Sequence, residues 1–298
     1  MSTIRAACRE DLDATAAMLN EHSRGLHGVD DVTPTDLLVY WESPDVELGQ
    51  DILIAEDDKR IVGYADVGAY GELVWLDVRA TDPESLPDLL PAIENVAAAK
   101  APEAKLIGYT SADDTPLRDL YAGSGYDLAR HSFRMRIDLD GRPPEPEWPD
   151  GFSVRTMREG EDRRFYDAQM ASFADTWMFA PDPYEHWRHW MVDEPTFDPT
   201  LWFAAEQGED LAGIVIARAP EHEPGVGWVR ILGVLPEYRQ RGLGQALLLH
   251  TFGEFARRGF QAVGLGVDAE NPTGAVRVYE RAGMRVERTN LLFEKLQG

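Results

Sequence analysis

The sequence predicts an α/β fold in which two tandem copies of one domain each build a mixed sheet flanked by helices. Three observations support this prediction. Segments near the N-terminus recur about 150 residues later, a proline-dense stretch separates the two series, and the second series contains a strand that runs through a glycine turn into an apolar helix. At 298 residues the chain is long enough for two such domains, each with its own core. We therefore expect domains over residues 1–140 and 151–298, joined by a linker over 141–150.

The first copy opens with a short strand at residues 4–7, followed by an amphipathic helix from Glu10 to Leu19 with acidic residues in its first turn. Thr33 and Pro34 start a second helix, because threonine is a good N-cap and proline is tolerated in the first turn. Three apolar runs then predict strands, of which the first two form a hairpin. They cover residues 52–56, 61–67 and 72–78.

The second copy follows the same order at a nearly constant spacing. Gly213 repeats Gly63 at a spacing of 150, and later Val278–Met284 repeats Leu120–Tyr126 at a spacing of 158. A spacing that grows once is what two copies with a single insertion produce. The linker between the copies is rich in proline, so it forms neither a helix nor a central strand.

Composition limits the partners that the chain can have. It carries 29 basic and 53 acidic residues, a formal net charge of −24. A surface this acidic repels nucleic acids and anionic membranes, so we expect neither as a partner. The charge is compatible with a cationic acceptor such as an amine, and equally with high solubility alone. We expect a small-molecule partner, and a protein that is a monomer or a homodimer.

The sequence also predicts a compartment. No apolar run approaches the roughly 18 residues of a membrane helix, and the N-terminus lacks the basic and apolar pattern of a signal peptide. The single cysteine, Cys8, cannot form an internal disulfide, which fits a reducing environment. We therefore expect a cytoplasmic protein.

The stretch from Val229 to Leu248 predicts an anion-binding site. A strand ends at Pro236, which has no N–H to donate to a sheet. Free N–H groups in the first turn of the next helix, the helix dipole and two arginines suit a phosphate or pyrophosphate. The loop lacks the lysine and hydroxyl residue of a P-loop and the third glycine of a dinucleotide-binding turn. It consists of Arg239, Gln240, Arg241, Gly242, Leu243, Gly244 and Gln245.

This loop resembles the acyl-CoA loop of the GCN5-related N-acetyltransferases (GNAT), whose signature is R/Q-x-x-G-x-G/A. Arg239-x-x-Gly242-x-Gly244 matches every fixed position. The distal pattern Asn271-x-x-x-Ala275-x-x-x-Tyr279-x-x-x-Gly283 is similar to the usual ending of the family, and the resemblance covers roughly Gly151 to Leu296. It implies mixed, mostly antiparallel sheets and acetyl-CoA as the acyl donor.

The resemblance also implies how the donor is held. The backbone of Leu232, Gly233 and Val234 would bind the pantetheine arm as a neighbouring strand would. The loop from Arg239 to Gln245 would hold the pyrophosphate, through its N–H groups more than through its arginine side chains. Asn271 and Ala275 would contact the cofactor from the second strand, although Asn271 is equally suited to capping a helix.

Tyr279 is the residue that the resemblance marks as the general acid for the departing thiolate. A phenol with a pKa of about 10 keeps its proton at neutral pH and can donate it. The alternative is a tyrosine that only packs beneath the cofactor. We expect Pro272 to start the helix, which places Ala275 and Tyr279 four apart on one face.

A general base is absent from the strand before the loop, where Gly227–Ile231 holds no carboxylate and where relatives often carry a glutamate. Asp268, at the mouth of the next strand, is the preferred candidate, and a chain of waters is an equal alternative. Glu221, His222 and Glu223 lie earlier, where we expect a solvated hairpin turn.

An aromatic segment after the first helix of the second copy is the candidate acceptor pocket. Trp177, Glu185 and Trp187 would bind the acceptor, with Glu185 attracting an amine. The spacing of the tryptophans in this segment is also typical of simple packing. His186 and His189 lie three apart, but no further cluster of ligands accompanies them, so we expect no metal.

The first copy lacks the phosphate loop. After its third strand come Asp82, Pro83, Glu84 and Pro87, which bring negative charge and remove N–H donors. We expect this copy not to bind acyl-CoA. The function that the resemblance implies is that of an acetyl-CoA-dependent N-acetyltransferase, in which the second copy catalyses direct attack of a small amine on the thioester. The alternative is a non-catalytic acyl-CoA-binding sensor or regulatory module.

Overall fold

The computed structural model describes residues 2–141 and 143–297. Arg142 of the expected linker, and Met1 and Gly298 at the ends of the expected domains, lie outside the described residues. The chain forms two compact units. Unit 1 contains the residues up to Ser132 together with those from Thr289, and unit 2 spans Phe133–Arg288. Residues 133–140 of the expected first domain and the expected linker fall within unit 2, and the end of the chain belongs to unit 1.

The helices and strands follow the predicted order. The first part of the chain forms β1 (Thr3–Ala6), α1 (Leu12–His27), α2 (Pro34–Trp41), β2 (Ile52–Asp57), β3 (Arg60–Tyr70), β4 (Leu73–Ala80), α3 (Leu86–Lys100), β5 (Lys105–Ser111), α4 (Thr115–Gly123) and β6 (Asp127–Asp138). The second part forms β7 (Phe152–Thr156), α5 (Asp162–Phe173), α6 (Tyr184–Met191), β8 (Trp202–Gln207), β9 (Asp210–Arg218), β10 (Val226–Val234), α7 (Leu243–Arg257), β11 (Ala262–Asp268), α8 (Ala275–Arg281) and β12 (Arg285–Leu296).

Each unit contains a mixed, mostly antiparallel sheet. In unit 1 the strand order is β1-β2-β3-β4-β5-β12, and β4 and β5 are its parallel pair. In unit 2 the order is β6-β11-β10-β9-β8-β7, and β10 and β11 are parallel. Because β12 pairs with β5 from Asn290 to Leu296, the last strand of unit 1 comes from the end of the chain. The α/β fold class and its mixed sheets are confirmed.

A repeated ion-pair network shows the two copies at the level of side chains. In unit 1, Arg5 binds Asp11 at 2.7 Å and Glu56 at 2.8 Å. In unit 2, Arg155 binds Glu161 at 2.6 Å and the carboxylate of Glu206 at 2.7 Å. All three positions are 150 residues apart in the chain. Each arginine thus ties an edge strand to the start of the first helix and to the neighbouring strand.

Local sequence explains where the helices begin. Thr33 and Asp36 form a capping box at α2, in which each side chain accepts the backbone N–H of the other, at 3.0 and 2.9 Å.

In unit 2, α7 is buried along most of its length and packs against β9 and β10, while α5 and α6 cover the opposite face of the sheet. Among the residues described, no helix combines the length and the apolar character that a membrane span needs.

Candidate active site

Strands β10 and β11 of unit 2 separate to form an open slot. Their parallel pairing ends at Val229 and Leu265, yet β10 continues to Val234 and β11 to Asp268. A bulge at Arg230, between Val229 and Ile231 in the register with β9, lies directly after the last residue of β10 that pairs with β11. Alternate backbone N–H and C=O groups at the end of β10 therefore face the slot, where an amide-bearing ligand can pair with them.

The expected pantetheine-binding residues lie along this edge. Leu232, Gly233 and Val234 pair with Val215, Ile214 and Gly213 of β9 on their other side. This places all three beyond the point at which β10 and β11 separate.

The loop that follows β10 presents backbone donors at the start of a helix. Gln240 and Gly242 both have left-handed backbone angles, with φ of 62° and 86°, and Gly242 is the N-cap of α7. The first helical hydrogen bond runs from the Ala246 N–H to the Gly242 carbonyl at 3.1 Å. The N–H groups of Leu243, Gly244 and Gln245 therefore precede the bonded turns of the helix and suit an anion.

Gly244 leaves space beside these donors. A β-carbon placed there would meet only the Val234 side chain, at the ordinary contact distance of 3.6 Å. Packing within the protein therefore does not require a glycine at this position.

Arg239 is bonded to the protein rather than directed outward. Its Nε donates to the Val234 carbonyl at 3.2 Å, and its Nη2 donates to the Ser172 carbonyl at 2.8 Å and to Asp175 Oδ1 at 3.0 Å. The hydrogen bond from Arg239 lowers the pKa of Asp175. Arg239 thus fastens the loop to the end of β10 and to the last turn of α5.

Arg241 lies on the surface of the same loop. Its Nη2 donates to the Glu237 carbonyl at 2.9 Å, and its guanidinium carbon lies 5.5 Å from the centre of the Tyr238 ring. The backbone of the loop is therefore better placed for a pyrophosphate than either arginine side chain as it stands.

Tyr279 is buried on the short helix α8. It is 7 % exposed, and burial raises its pKa to about 12, so the phenol keeps its proton at neutral pH. Among the described residues, no side chain or backbone group forms a hydrogen bond with its hydroxyl. Ala275 opens α8 and packs against the core of unit 2.

The start of this helix differs from the prediction. Pro272 does not begin α8, because Gly274, with φ of 74°, is its N-cap and Ala275 is its first residue. Asn271 does not cap it either. Its Oδ1 instead accepts the backbone N–H of Thr273 at 2.9 Å and the Thr273 hydroxyl at 2.6 Å, and so closes a turn ahead of the helix.

Asp268 is the last residue of β11, at the mouth of the slot. Its Oδ1 accepts the Glu270 N–H at 2.9 Å, and its carbonyl accepts the Asn271 N–H at 3.1 Å. The side chain is partly buried. It ends the strand that runs parallel to β10, and its role as a base stays a prediction.

Glu223 corrects an expectation of solvated surface. It is 8 % exposed and pairs with Arg134 and, at 3.4 Å, with Arg136. Arg134 also binds Glu287 at 2.6 Å and lies 4.7 Å from the centre of the Trp228 ring. Arg134 and Arg136 alternate on β6, and this spacing was the sequence signal for a cluster of charges on one face of the strand. The sequence does not show which distant carboxylate the two arginines bind.

The aromatic segment divides between core and surface. Trp187 is 1 % exposed, donates to Gln169 Oε1 at 2.8 Å and packs against Trp202, so packing describes its surroundings. Glu185 is exposed, and Trp177 is half-buried in the loop between α5 and α6. The structure therefore leaves Trp177 and Glu185 accessible to solvent and buries Trp187 in the core.

The paired histidines do not form a metal centre in the part of the chain that is described. His186 is bonded to Asp182 through Nδ1, and its Nε2 accepts the Trp190 indole N–H at 3.1 Å. Because an indole only donates, Nδ1 carries the proton of a neutral ring. Within residues 2–141 and 143–297, no three His, Cys, Asp or Glu side chains are grouped to hold a metal ion.

The corresponding loop of unit 1 is closed by its own side chains. Asp82 Oδ1 accepts the Glu84 N–H at 3.1 Å, and the Ser85 hydroxyl donates to the Asp82 carbonyl at 2.7 Å. Pro87 lies in the first turn of α3 and has no N–H to offer. That unit 1 does not bind acyl-CoA stays a prediction.

Comparisons with known proteins show which sequences this chain is similar to. Residues 163–284 match the model of the acetyltransferase (GNAT) family. A mycothiol acetyltransferase of Streptomyces coelicolor is 30 % identical over 98 % of this chain and 94 % of its own length. One from Thermobispora bispora is 35 % identical over 59 % of this chain and 61 % of its own.

Solved structures show the same architecture. The crystal structure of a GCN5-related N-acetyltransferase from Sphaerobacter thermophilus has a TM-score of 0.82 and 29 % identity, and covers 99 % of this chain and 96 % of its own. A tandem GNAT protein from the clavulanic acid biosynthesis pathway has a TM-score of 0.78 at 14 % identity over 100 % of this chain and 99 % of its own. At 14 % identity, the similarity to the tandem GNAT protein shows a common fold and nothing further.

Proposed function

Because the chain belongs to the GNAT family of acetyltransferases, we propose that it transfers an acetyl group from acetyl-CoA to a small amine and that unit 2 carries the reaction. The observation that supports this most is the combination, in unit 2, of an open strand edge at Leu232–Val234 with backbone donors at Leu243–Gln245. In unit 1 the matching loop has its donors occupied or replaced by proline.

The donor lies in the slot of unit 2 in this proposal. The pantetheine amides pair with the edge of β10, and the pyrophosphate lies on the first turn of α7, where the N–H groups and the helix dipole favour negative charge. Arg239 holds that loop in position by binding Val234, Ser172 and Asp175. Ala275 and Asn271 would border the cofactor from the side of β11.

The reaction is direct transfer without an acyl-enzyme. A backbone N–H of β10 polarises the thioester carbonyl, the amine nitrogen forms the new C–N bond, and the C–S bond breaks. Tyr279 donates its proton to the departing thiolate, and the proton of the attacking nitrogen passes to Asp268 or to water. The high pKa of Tyr279 keeps it protonated until the thiolate develops beside it.

The acceptor is a small amine whose identity the relatives suggest only in part. Several relatives are named mycothiol acetyltransferases, so amines related to mycothiol belong in any test. Trp177 and Glu185 are proposed to contact the acceptor, with Trp187 supporting them from the core. A cytoplasmic location, where acetyl-CoA is made and used, is part of the same proposal.

The test is acetyl-CoA-dependent release of free thiol with a panel of amines, amino acids, polyamines, aminoglycosides and mycothiol-related amines, with acetyl-CoA binding followed by calorimetry. We expect saturable turnover with at least one amine. Tight binding without turnover across the panel would favour the acyl-CoA sensor. Absence of binding would contradict the assignment of the slot and of the loop at Arg239–Gln245.

A further inference from the structure

Unit 1 contains a polar cluster on the face of its sheet that α1 and α2 cover. Asp66 of β3 and Asp77 of β4 lie directly opposite each other in the antiparallel pair. Asp66 is 8 % exposed, whereas the side chain of Asp77 is 32 % exposed and opens the cluster to solvent. Two carboxylates in this arrangement repel each other, and burying one of them adds a desolvation cost.

The same positions in unit 2 show that the fold does not require these charges. Asp66 and Asp77 correspond in register to Ile216 and Ile231, which are likewise opposite each other. Tyr64, two residues before Asp66, corresponds to Ile214. In unit 2 these isoleucines are part of an apolar core. Unit 1 thus has polar side chains at positions where unit 2 has apolar ones in an equivalent sheet. Packing of the sheet therefore does not explain why these residues are polar in unit 1.

The partners of the cluster leave it with an excess of negative charge. Arg79 binds both oxygens of Asp77, at 2.8 and 2.7 Å, and also pairs with Asp31. The Tyr40 hydroxyl donates to Asp66 Oδ1 at 2.7 Å. Among these groups, one guanidinium therefore faces three carboxylates.

A buried hydroxyl also points to a missing partner. Tyr64 is 1 % exposed, and its hydroxyl forms no hydrogen bond with the residues that the structure describes. It lies on the same strand face as Asp66, and burial together with the charge of Asp66 raises the pKa of Tyr64 well above its usual value. A buried polar atom without a partner costs free energy, which a ligand with the right donors would recover.

We propose that the Tyr64, Asp66 and Asp77 side chains of unit 1 form a binding site for a primary ammonium group. Three N–H donors on one positive nitrogen match two carboxylates and a hydroxyl oxygen. A divalent metal fits less well, because no group of three carboxylate, imidazole or thiolate side chains within the described chain is arranged to coordinate one. The site is separate from the acetyl-transfer site proposed in unit 2 and does not depend on it.

The experiment titrates the full-length protein with methylammonium chloride at pH 8, and follows binding by calorimetry and by the midpoint of thermal unfolding. Tetramethylammonium chloride is the matched control, because it has the same charge and no N–H donors. Potassium chloride controls for ionic strength. We expect saturable binding of methylammonium that the two controls do not reproduce.

Three variants assign that binding to unit 1. Asp66→Asn should weaken it at least tenfold and Tyr64→Phe about threefold, while acetyl transfer by each variant stays at the wild-type rate. The double variant Tyr64→Ile/Asp66→Ile copies residues that unit 2 already uses, so it should fold and show no binding.

Two results would overturn the proposal. In the first, methylammonium acts no differently from tetramethylammonium and potassium. In the second, Asp66→Asn changes stability but leaves methylammonium binding intact, which would mean that the cluster holds only a proton and that the amine binds elsewhere.

Discussion

Gly233 of β10 lies so close to Ser172 of α5 that a β-carbon at position 233 would be 2.3 Å from the Ser172 hydroxyl oxygen. Ser172 is buried, and its own carbonyl accepts a hydrogen bond from Arg239. The last turn of α5 therefore determines the position of the exposed edge of β10 and, through Arg239, that of the phosphate loop.

This contact predicts the effect of Gly233→Ala. The added methyl must displace Ser172 or bend β10, so we expect a loss of about 1–3 kcal/mol in the free energy of unfolding, as for other overpacked sites. The Michaelis constant for acetyl-CoA should rise with it. Urea unfolding and initial rates measure both. Gly253→Ala is the control, because nothing lies within 4 Å of a β-carbon there, and alanine in a helix should stabilise slightly. Equal behaviour of the two variants would contradict the prediction.

Tyr279→Phe separates proton donation from packing. The ring remains and the proton is lost, so an acid role predicts that turnover falls about 100-fold or more, while the dissociation constant of acetyl-CoA changes less than twofold. Thiol release and calorimetry measure the two quantities. Tyr109→Phe, at a partly exposed tyrosine of unit 1, should leave both unchanged. Normal turnover in Tyr279→Phe would mean that the residue only packs.

Arg239→Lys tests whether this side chain positions the loop. One ammonium cannot reach Val234, Ser172 and Asp175 as the fork of a guanidinium does. Loss of one or two such hydrogen bonds costs about 1 kcal/mol each, so the Michaelis constant for acetyl-CoA should rise about fivefold or more, with a smaller change in turnover. Arg163→Lys, at an exposed arginine of α5 that pairs with Asp167, is the matched control. A similar rise in the control would contradict the positioning role.

The sequence predicted those features that depend on short stretches of chain. The repeat, the glycine turn before α7 and the N-cap at Thr33 follow from glycine, proline and hydroxyl residues at fixed spacings, and each is present. Long-range pairing was not predictable in this way. Glu223 meets Arg134, 89 residues away, and nothing local distinguishes it from a solvated glutamate.

Two further differences have similar causes. The hydrophobic pattern of a strand does not determine which sheet the strand joins. The pairing of Asn290–Leu296 with β5 could therefore not be predicted from the sequence. At α8, Pro272 is compatible with a helix start, but Asn271 binds Thr273 and closes a turn first. In both cases a contact outside the segment, or a competing local hydrogen bond, decided the outcome.

Asp66 predicts an unusual pH dependence of stability. Burial and the neighbouring charge of Asp77 raise its pKa from 3.8 to about 7, while the nearby hydroxyls of Tyr64 and Tyr40 and the charge of Arg79 oppose the shift. Between these pH values the folded protein binds a proton that the unfolded chain releases. The contribution of this group is therefore fully present below pH 4 and is lost as the pH rises through 7.

Asp66→Asn should remove this dependence. The amide keeps an acceptor for Tyr40 and carries no charge, so the variant should be more stable than the wild type at pH 8, by at most about 4 kcal/mol, the full value of the shift. The difference should shrink as the pH falls towards 5, because the wild-type carboxyl is then neutral in the folded state. Chemical unfolding at pH 5, 6, 7 and 8 measures it. A wild type that gains stability relative to the variant as the pH rises would show that Asp66 is ionised and well paired in the folded protein.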